Sequence, residues 1–313
     1  MALDELSAIL VKEMIAARPK PMFEMSAQEA RDHAASLPPR VIPVPDMAKV
    51  TDYQLPVTGG TIPVRVFIPS ESPRGIIVNY HGGGWVLGSV EASDPLGRRL
   101  AERTNCSVVL VGYRLAPEYR FPTAVDDAYA ALCWTHRSIK EIAGGPVPII
   151  VAGDSAGGNL AAVVARKSRD QGGPTVAMQI LNYPVVDCNF DTDSYNDPEN
   201  ALSLTRESMV WFWDHYAPDP AARTNEDASP LRVGDLSNLP PAVVITAEHD
   251  VLRTEGDNYA VRLADAGVPV RHRCFAGQMH GFLGMGLDLL PGSDAAFQYI
   301  TEAVNEFLST GEL

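Results

Sequence analysis

The sequence lacks the features that would place it in a metal-dependent, redox or disulfide-rich class. Only four cysteines occur among its 313 residues, none of them forms a CxxC pair, and no histidine lies at zinc-ligand spacing from them. Isolated cysteines of this kind usually behave as small apolar residues in a reducing compartment. We therefore predict no disulfide framework, no metal and no cofactor.

Basic charge and long apolar runs are also scarce. There are 25 Lys and Arg residues against 39 Asp and Glu, which gives a formal charge of -14. Nucleic acids and anionic membrane surfaces require basic patches, so we predict neither as a partner. No apolar run approaches the roughly 20 residues that span a bilayer, and the N-terminal MALDELSAILVKEM lacks the basic region of a signal peptide. These observations predict a soluble, cytoplasmic protein.

What the sequence does contain is an alternation of apolar strands with helical segments. Runs such as GIIVNY at 75–80 and VPIIVAG at 147–153 are almost wholly apolar, and a helical pattern follows the second at 159–173. Strands without polar alternation are buried on both faces. The pattern therefore predicts an α/β fold with a mostly parallel central sheet flanked by helices.

Two segments depart from this alternation. The first 20 residues place apolar side chains, including Leu6, Ile9 and Leu10, at helical spacing, and a proline-rich stretch at 37–45 follows. Residues 187–231 are rich in Asp, Asn, Ser and Pro and contain an aromatic cluster at 211–213. Long excursions between strands are usually functional insertions or lids, and we interpret this one in the same way.

A candidate nucleophile lies between the strand at 147–153 and the helix that follows it. The chain reads GDSAG there, with Ser155 between two glycines. GxSxG alone is a weak signal, but a strand, a sharp turn and a helix around it are typical of the nucleophile elbow in the α/β-hydrolase fold. Glycine is expected on both sides because larger side chains would collide with the strand and helix.

A serine hydroxyl needs a base, and the base needs an acid that orients it. In this fold the acid and then the histidine follow the serine along the chain. His280 lies in a glycine-flanked loop after the last predicted strand, and Asp250 ends the strand before that. Glu248 remains a competitor for the acid, whereas Asp154 is interpreted as a structural hydrogen-bond acceptor.

Three consecutive glycines at 82–84 come directly after the strand GIIVNY. Attack on an ester produces an oxyanion, and backbone N–H groups aimed at it are among the largest catalytic terms. A bare backbone can present such donors, so we assign them to Gly83 and Gly84, with Ala156 after the nucleophile as a third. His81 is predicted to anchor this loop without titrating. Trp85 and Trp211 are candidate walls of the substrate pocket, with plain core packing as the alternative.

These motifs together resemble the hormone-sensitive lipase family, the bacterial family IV carboxylesterases of the α/β-hydrolase superfamily. The resemblance covers about residues 40–310 and implies a helical cap from 1–45 and 187–231 on a catalytic domain of 46–186 and 232–313. Two loop segments depart from the family: RFP stands where PFP is common, and DVLRTEG where DPLRDEG is common. The motifs that carry the resemblance are HGGGW (81–85), YRLAPE (113–118), GDSAGGN (153–159), the acid segment 250–256 and HGF (280–282).

The resemblance and the residues together predict a carboxylesterase that acts on short- to medium-chain esters through an acyl-enzyme. A fold and a triad do not fix the leaving group, so a deacetylase, an amidase or an acyltransferase remains an alternative. A non-catalytic ligand receptor on the same fold is a more distant one. The expected partner is a small-molecule ester, and a homodimer through the exposed sheet edge is left open.

Overall fold

The computed structural model describes residues 2–37 and 43–313, so part of the proline-rich stretch at 37–45 lies outside the described residues. The predicted α/β fold is confirmed. The strands are β1 (Lys49–Val57), β2 (Gly60–Ile68), β3 (Ile76–Tyr80), β4 (Ser107–Val111), β5 (Ile149–Asp154), β6 (Met178–Asn182), β7 (Ala242–His249) and β8 (Val270–Met279). The α-helices are α1 (Glu5–Ala17), α2 (Ala27–Ser36), α3 (Val90–Thr104), α4 (Thr123–Arg137), α5 (Ile139–Ala143), α6 (Ala156–Gln171), α7 (Asp193–Asn196), α8 (Arg206–Tyr216), α9 (Pro220–Arg223), α10 (Arg253–Asp265), α11 (Phe282–Met285) and α12 (Pro291–Thr310).

The strands of the described chain form one sheet in the order β1-β2-β4-β3-β5-β6-β7-β8. β1 pairs with β2, and β2 with β4, in antiparallel register; from β4 to β8 every pairing is parallel. The carboxyl ends of parallel strands meet at one edge of a sheet, where ligands bind in open α/β folds. This topology brings the ends of β3, β5, β7 and β8 to the same side of the molecule.

Strands β3, β4 and β6 are buried along their whole length, and β5 is buried up to its last residue. In β3 alternate residues belong to two different cores: Ile76 and Val78 pack on one face of the sheet, and Ile77 packs on the other. Successive side chains of a strand point to opposite faces, so a strand covered on both sides is mostly apolar; in β3 the one polar residue is Asn79. This is the physical reason for the runs of Val and Ile in the sequence.

The N-terminal segment and the insertion lie against each other. α2 begins with a capping box formed by Ser26 and Glu29. Trp211 of α8 donates its Nε1–H to the carbonyl oxygen of Met25, 2.9 Å away. Two segments that are distant in sequence thus meet in the fold. The cap and its division from a catalytic domain stay predictions.

Two details differ from the sequence prediction. β1 lacks the apolar run that marks the predicted strands, because it lies at the edge of the sheet and only Leu55 of its residues is buried. In α1, Leu10 and Val11 are buried, but Leu6 and Ile9 are 47% and 48% exposed, so only part of the predicted apolar stripe faces the protein. None of the described helices is long and apolar enough to cross a bilayer.

Candidate active site

Ser155 lies in a strained turn between β5 and α6. Its backbone has φ 56° and ψ -118°, a region that residues with a Cβ rarely adopt. The neighbouring glycines are required by close backbone approach: a Cβ on Gly153 would lie 2.2 Å from the oxygen of Gly157, and one on Gly157 would lie 1.9 Å from the oxygen of Tyr80. Only glycine fits these positions, which agrees with the predicted elbow.

The three residues predicted as a triad lie in hydrogen-bonding contact. The Oγ of Ser155 is 3.0 Å from Nε2 of His280, and Nδ1 of His280 is 2.7 Å from Oδ2 of Asp250. A carboxylate only accepts, so the imidazole donates from Nδ1 and its Nε2 is free to accept the serine proton. All three are shielded from water, with Asp250 1% and Ser155 8% exposed and the His280 side chain 12% exposed.

The choice between the two acids follows from where each carboxylate lies. The second oxygen of Asp250 accepts from the N–H of Leu252 at 2.9 Å, which fixes the carboxylate toward His280. Glu248 instead accepts from the N–H of Gly277 on β8, at 2.7 Å. The structure therefore brings Asp250, and not Glu248, to the histidine.

The glycine loop after β3 lies close to the serine elbow. Gly83 and Gly84 both have positive φ, 113° and 59°. The carbonyl oxygen of Gly83 accepts from the N–H groups of Val86 and Leu87, at 3.1 and 2.8 Å. Among the described residues, no protein acceptor takes the N–H of Gly83, Gly84 or Ala156, so these three donors remain available. α6 begins at Ala156, which adds the positive end of its dipole.

His81 is held as a neutral anchor of this loop. Its Nδ1 donates to the oxygen of Gly82 at 2.7 Å, and its ring stacks on Tyr113 with centroids 4.3 Å apart. The hydroxyl of Tyr113 donates to the carbonyl oxygen of His81 at 2.8 Å. Burial lowers the pKa of His81 to about 4, so the imidazole is uncharged at neutral pH.

Asp154 joins the elbow to the glycine loop. The N–H of Gly82 donates to its carboxylate, and a Cβ on Gly82 would lie 2.4 Å from Oδ2 of Asp154. Burial raises the pKa of Asp154 to about 6, against the opposing effects of His280 and of the Gly82 N–H. The side chain thus acts as the structural acceptor expected from the sequence.

The two tryptophans predicted as pocket walls pack inside the protein. Trp85 has no exposed surface; its ring stacks on Tyr216 at 4.1 Å and meets the edge of Trp213 at 4.9 Å. Trp211 is 7% exposed and directs its N–H to the N-terminal segment. This geometry favours core packing, the alternative that the sequence left open.

Other residues at the site had no role in the sequence prediction. The ring of Phe212 fills the space beside Gly84, since a Cβ on that glycine would lie 2.2 Å from its Cδ1. The Tyr183 ring lies 5.0 Å from the His280 ring, and the hydroxyl of Ser203 donates to the oxygen of His280 at 3.4 Å. The sequence could have indicated Tyr183, because it comes just after β6 and the strand ends meet at this edge of the sheet. No sequence pattern indicated Phe212 or Ser203.

The fold and this site define an α/β hydrolase. A family model described as the alpha/beta hydrolase fold matches residues 77–284, and the chain belongs to that family. Curated relatives include the carboxylic ester hydrolase LipN of Mycobacterium tuberculosis, 39% identical over 83% of this chain and 71% of that protein, and the ethyl acetate hydrolase of Pseudomonas putida, 33% identical over 92% of both.

Solved structures give the same result. A hyperthermophilic esterase from the archaeon Pyrobaculum calidifontis superimposes with a TM-score of 0.88 at 38% identity, over 98% of this chain and 99% of that one. The relatives are ester hydrolases and agree with the resemblance to the hormone-sensitive lipase family. The chain is therefore an ester-hydrolysing enzyme of the carboxylesterase type.

Proposed function

We propose that the chain hydrolyses short- to medium-chain carboxylic esters through a Ser155 acyl-enzyme, with His280 as the base and Asp250 as the acid that orients it. The observation that carries this proposal is the pair of contacts Ser155 Oγ–His280 Nε2 (3.0 Å) and His280 Nδ1–Asp250 Oδ2 (2.7 Å). Such a relay activates a hydroxyl that is otherwise a poor nucleophile at neutral pH.

The proposed reaction has two matching halves. Oγ of Ser155 attacks the ester carbonyl while its proton moves to Nε2 of His280, and the oxyanion accepts from Gly83, Gly84 and Ala156. The tetrahedral intermediate then expels the alkoxide, which takes the proton from His280 and leaves as the alcohol. Water adds to the acyl-enzyme in the same way and releases the acid and the free serine.

Three observations favour a small acyl group. The serine and histidine are nearly buried, and Phe212 of α8 occupies the space beside Gly84. One relative is named for ethyl acetate, a short ester. The insertion that carries α8 packs on the N-terminal segment, and we propose that these two form a cap over the acyl site. An amidase, a deacetylase or an acyltransferase would use the same residues with another leaving group or acceptor.

The test is a chain-length series of p-nitrophenyl esters on the wild type and Ser155→Ala. We expect the variant to lose at least about 10⁴-fold in kcat with an unchanged circular dichroism spectrum. Ser168→Ala is the matched control, because this serine on the same helix donates its hydroxyl to Pro174 and lies outside the proposed triad. Turnover by Ser155→Ala within about 10-fold of wild type would contradict the proposal.

The leaving group is tested on the wild type. Matched amides and added alcohol acceptors separate hydrolysis of esters from amidase and acyltransferase activity.

A further inference from the structure

Arg31 of α2 joins the N-terminal segment to the backbone that follows the glycine loop. Its Nε donates to the carbonyl oxygen of Val86 at 2.9 Å, and its Nη2 donates to the carbonyl oxygen of Ala116 at 2.6 Å. The outer edge of the same guanidinium pairs with both carboxylate oxygens of Glu118, at 2.9 and 2.8 Å. One planar group therefore holds two backbone segments, as the fork geometry of arginine allows and that of lysine does not.

The two carbonyls belong to segments that are already linked to the oxyanion loop. Val86 donates its N–H to the oxygen of Gly83, and Ala116 donates its N–H to the oxygen of Trp85 at 2.9 Å. Both residues are thus tied to the loop by their N–H groups and to Arg31 by their C=O groups. Arg31 closes this network from outside the sheet.

The backbone between these bonds is held in an unfavourable conformation. Gly83, Gly84 and Trp85 have φ values of 113°, 59° and 59° in succession, and the last is not a glycine. Conformations of this kind persist only where the surroundings determine them. The surroundings here are the aromatic stack under Trp85 and the hydrogen bonds to Arg31.

We propose that Arg31 is a positioning residue for oxyanion stabilisation. By holding the carbonyl groups of Val86 and Ala116, it keeps the N–H groups of Gly83 and Gly84 aimed at the oxygen that becomes charged. This inference rests on the proposed function, because it takes these glycines as the oxyanion donors. The N-terminal segment then contributes to the chemical step as well as to the cover of the site.

The ion pair with Glu118 alone does not account for this arrangement. The carboxylate side chain is 52% exposed, and exposed ion pairs contribute little to stability. The two carbonyl bonds lie on the inner edge of the guanidinium, toward the loop, and hydrogen bonds from a charged donor are stronger than neutral ones. A change at Glu118 should therefore leave the loop in place, whereas a change at Arg31 should not.

The experiment compares Arg31→Met, Arg31→Lys and the control Glu118→Gln, with active-site titration to count competent enzyme. For Arg31→Met we expect kcat per competent site to fall about 10- to 100-fold, with KM within about 3-fold, since one oxyanion donor is worth 10²–10³-fold. Affinity for a trifluoromethyl ketone, which forms a tetrahedral adduct on the serine, should fall by the same factor. The kcat of Arg31→Lys should lie between the values of Arg31→Met and wild type. Glu118→Gln should keep kcat within about 2-fold of wild type.

Several outcomes would overturn the proposal. The first is that Arg31→Met keeps the wild-type kcat per competent site. The second is that Arg31→Met has fewer competent sites but an unchanged kcat at each of them. The third is that Arg31→Met changes KM alone. If Arg31→Met does not fold, wild-type kcat and ketone affinity in Arg31→Lys overturn it equally. Hydrolysis by Ser155→Ala would refute the proposed function itself, whereas an inactive Ser155→Ala beside a fully active Arg31→Met refutes only the role of Arg31.

Discussion

The two halves of the site are held in different ways. Ser155, Asp250 and His280 sit at or just beyond the ends of β5, β7 and β8, so the pairing of parallel strands brings them together. The glycine loop also begins at a strand end, but Phe212 packs beside it and Arg31 binds the backbone that follows it. The proposed nucleophile and base therefore depend on the sheet, whereas we propose that the oxyanion donors depend on the packing of the N-terminal segment and the insertion.

The part of the site that the sheet positions, Ser155, Asp250 and His280, is tested most strongly by a change at Asp250. Asp250→Asn removes the charge that orients His280 and stabilises its protonated form, so we expect kcat to fall about 10⁴-fold with little change in unfolding temperature. Glu248→Gln is the matched control, because that side chain accepts from Gly277 and should keep near wild-type kcat. Steady-state kinetics on a p-nitrophenyl ester measures both. A loss below about 10-fold in Asp250→Asn would remove this residue from the triad.

The other part of the site, the glycine loop after β3, is tested at Gly84. A Cβ there would lie 2.2 Å from the Phe212 ring, so Gly84→Ala should displace the loop and lower kcat by about 10²–10³-fold. Gly84→Ala combined with Phe212→Ala should recover the part of the loss that comes from this side-chain clash, while the strain of a Cβ at φ 59° remains. Gly83→Ala meets the backbone oxygen of Leu87 at 2.3 Å, which no side-chain change relieves. Equal kcat in the single and double variants would contradict a loop positioned by α8.

Asp154 joins the serine elbow to the glycine loop, and its replacement should have the smallest of the predicted effects. Its pKa rises from 3.8 to about 6 on folding, so its contribution favours the folded state below pH 3.8 and is lost as the pH rises through 6. Asp154→Asn keeps an acceptor for the Gly82 N–H without the buried charge. The free energy of unfolding of Asp154→Asn, relative to that of wild type, should therefore increase from pH 4 to pH 8, by at most about 3 kcal/mol. Urea unfolding at pH 4 and pH 8 measures this, and a difference that does not change with pH would contradict it.

The same contrast explains what could be predicted from the sequence. The elbow was visible because Gly153 and Gly157 must be glycines where backbones approach closely. The choice of Asp250 and His280 followed from chain order and from the meeting of strand ends at one edge. These constraints are local or topological, so residue types alone reveal them.

The supports of the glycine loop could not be predicted in this way. Arg31 binds backbone carbonyls at Val86 and Ala116, and a carbonyl oxygen is present whatever the residue, so no pattern marks its partners. The aromatic residues near the loop could equally line a pocket or fill the core. For Trp85 the stacking of its ring on Tyr216, rather than its residue type, distinguishes a core residue from a pocket wall. β1 was missed because a half-exposed edge strand lacks an apolar run.

The most direct test of the central claim is covalent trapping at the serine. Wild-type enzyme treated with a p-nitrophenyl phosphonate ester should gain one phosphonyl group per chain by intact-mass spectrometry, located at Ser155 by peptide mapping. Ser155→Ala should gain none, and Asp250→Asn should be labelled far more slowly. Labelling of Ser155→Ala at the wild-type rate, or a wild-type adduct on another residue, would contradict the account.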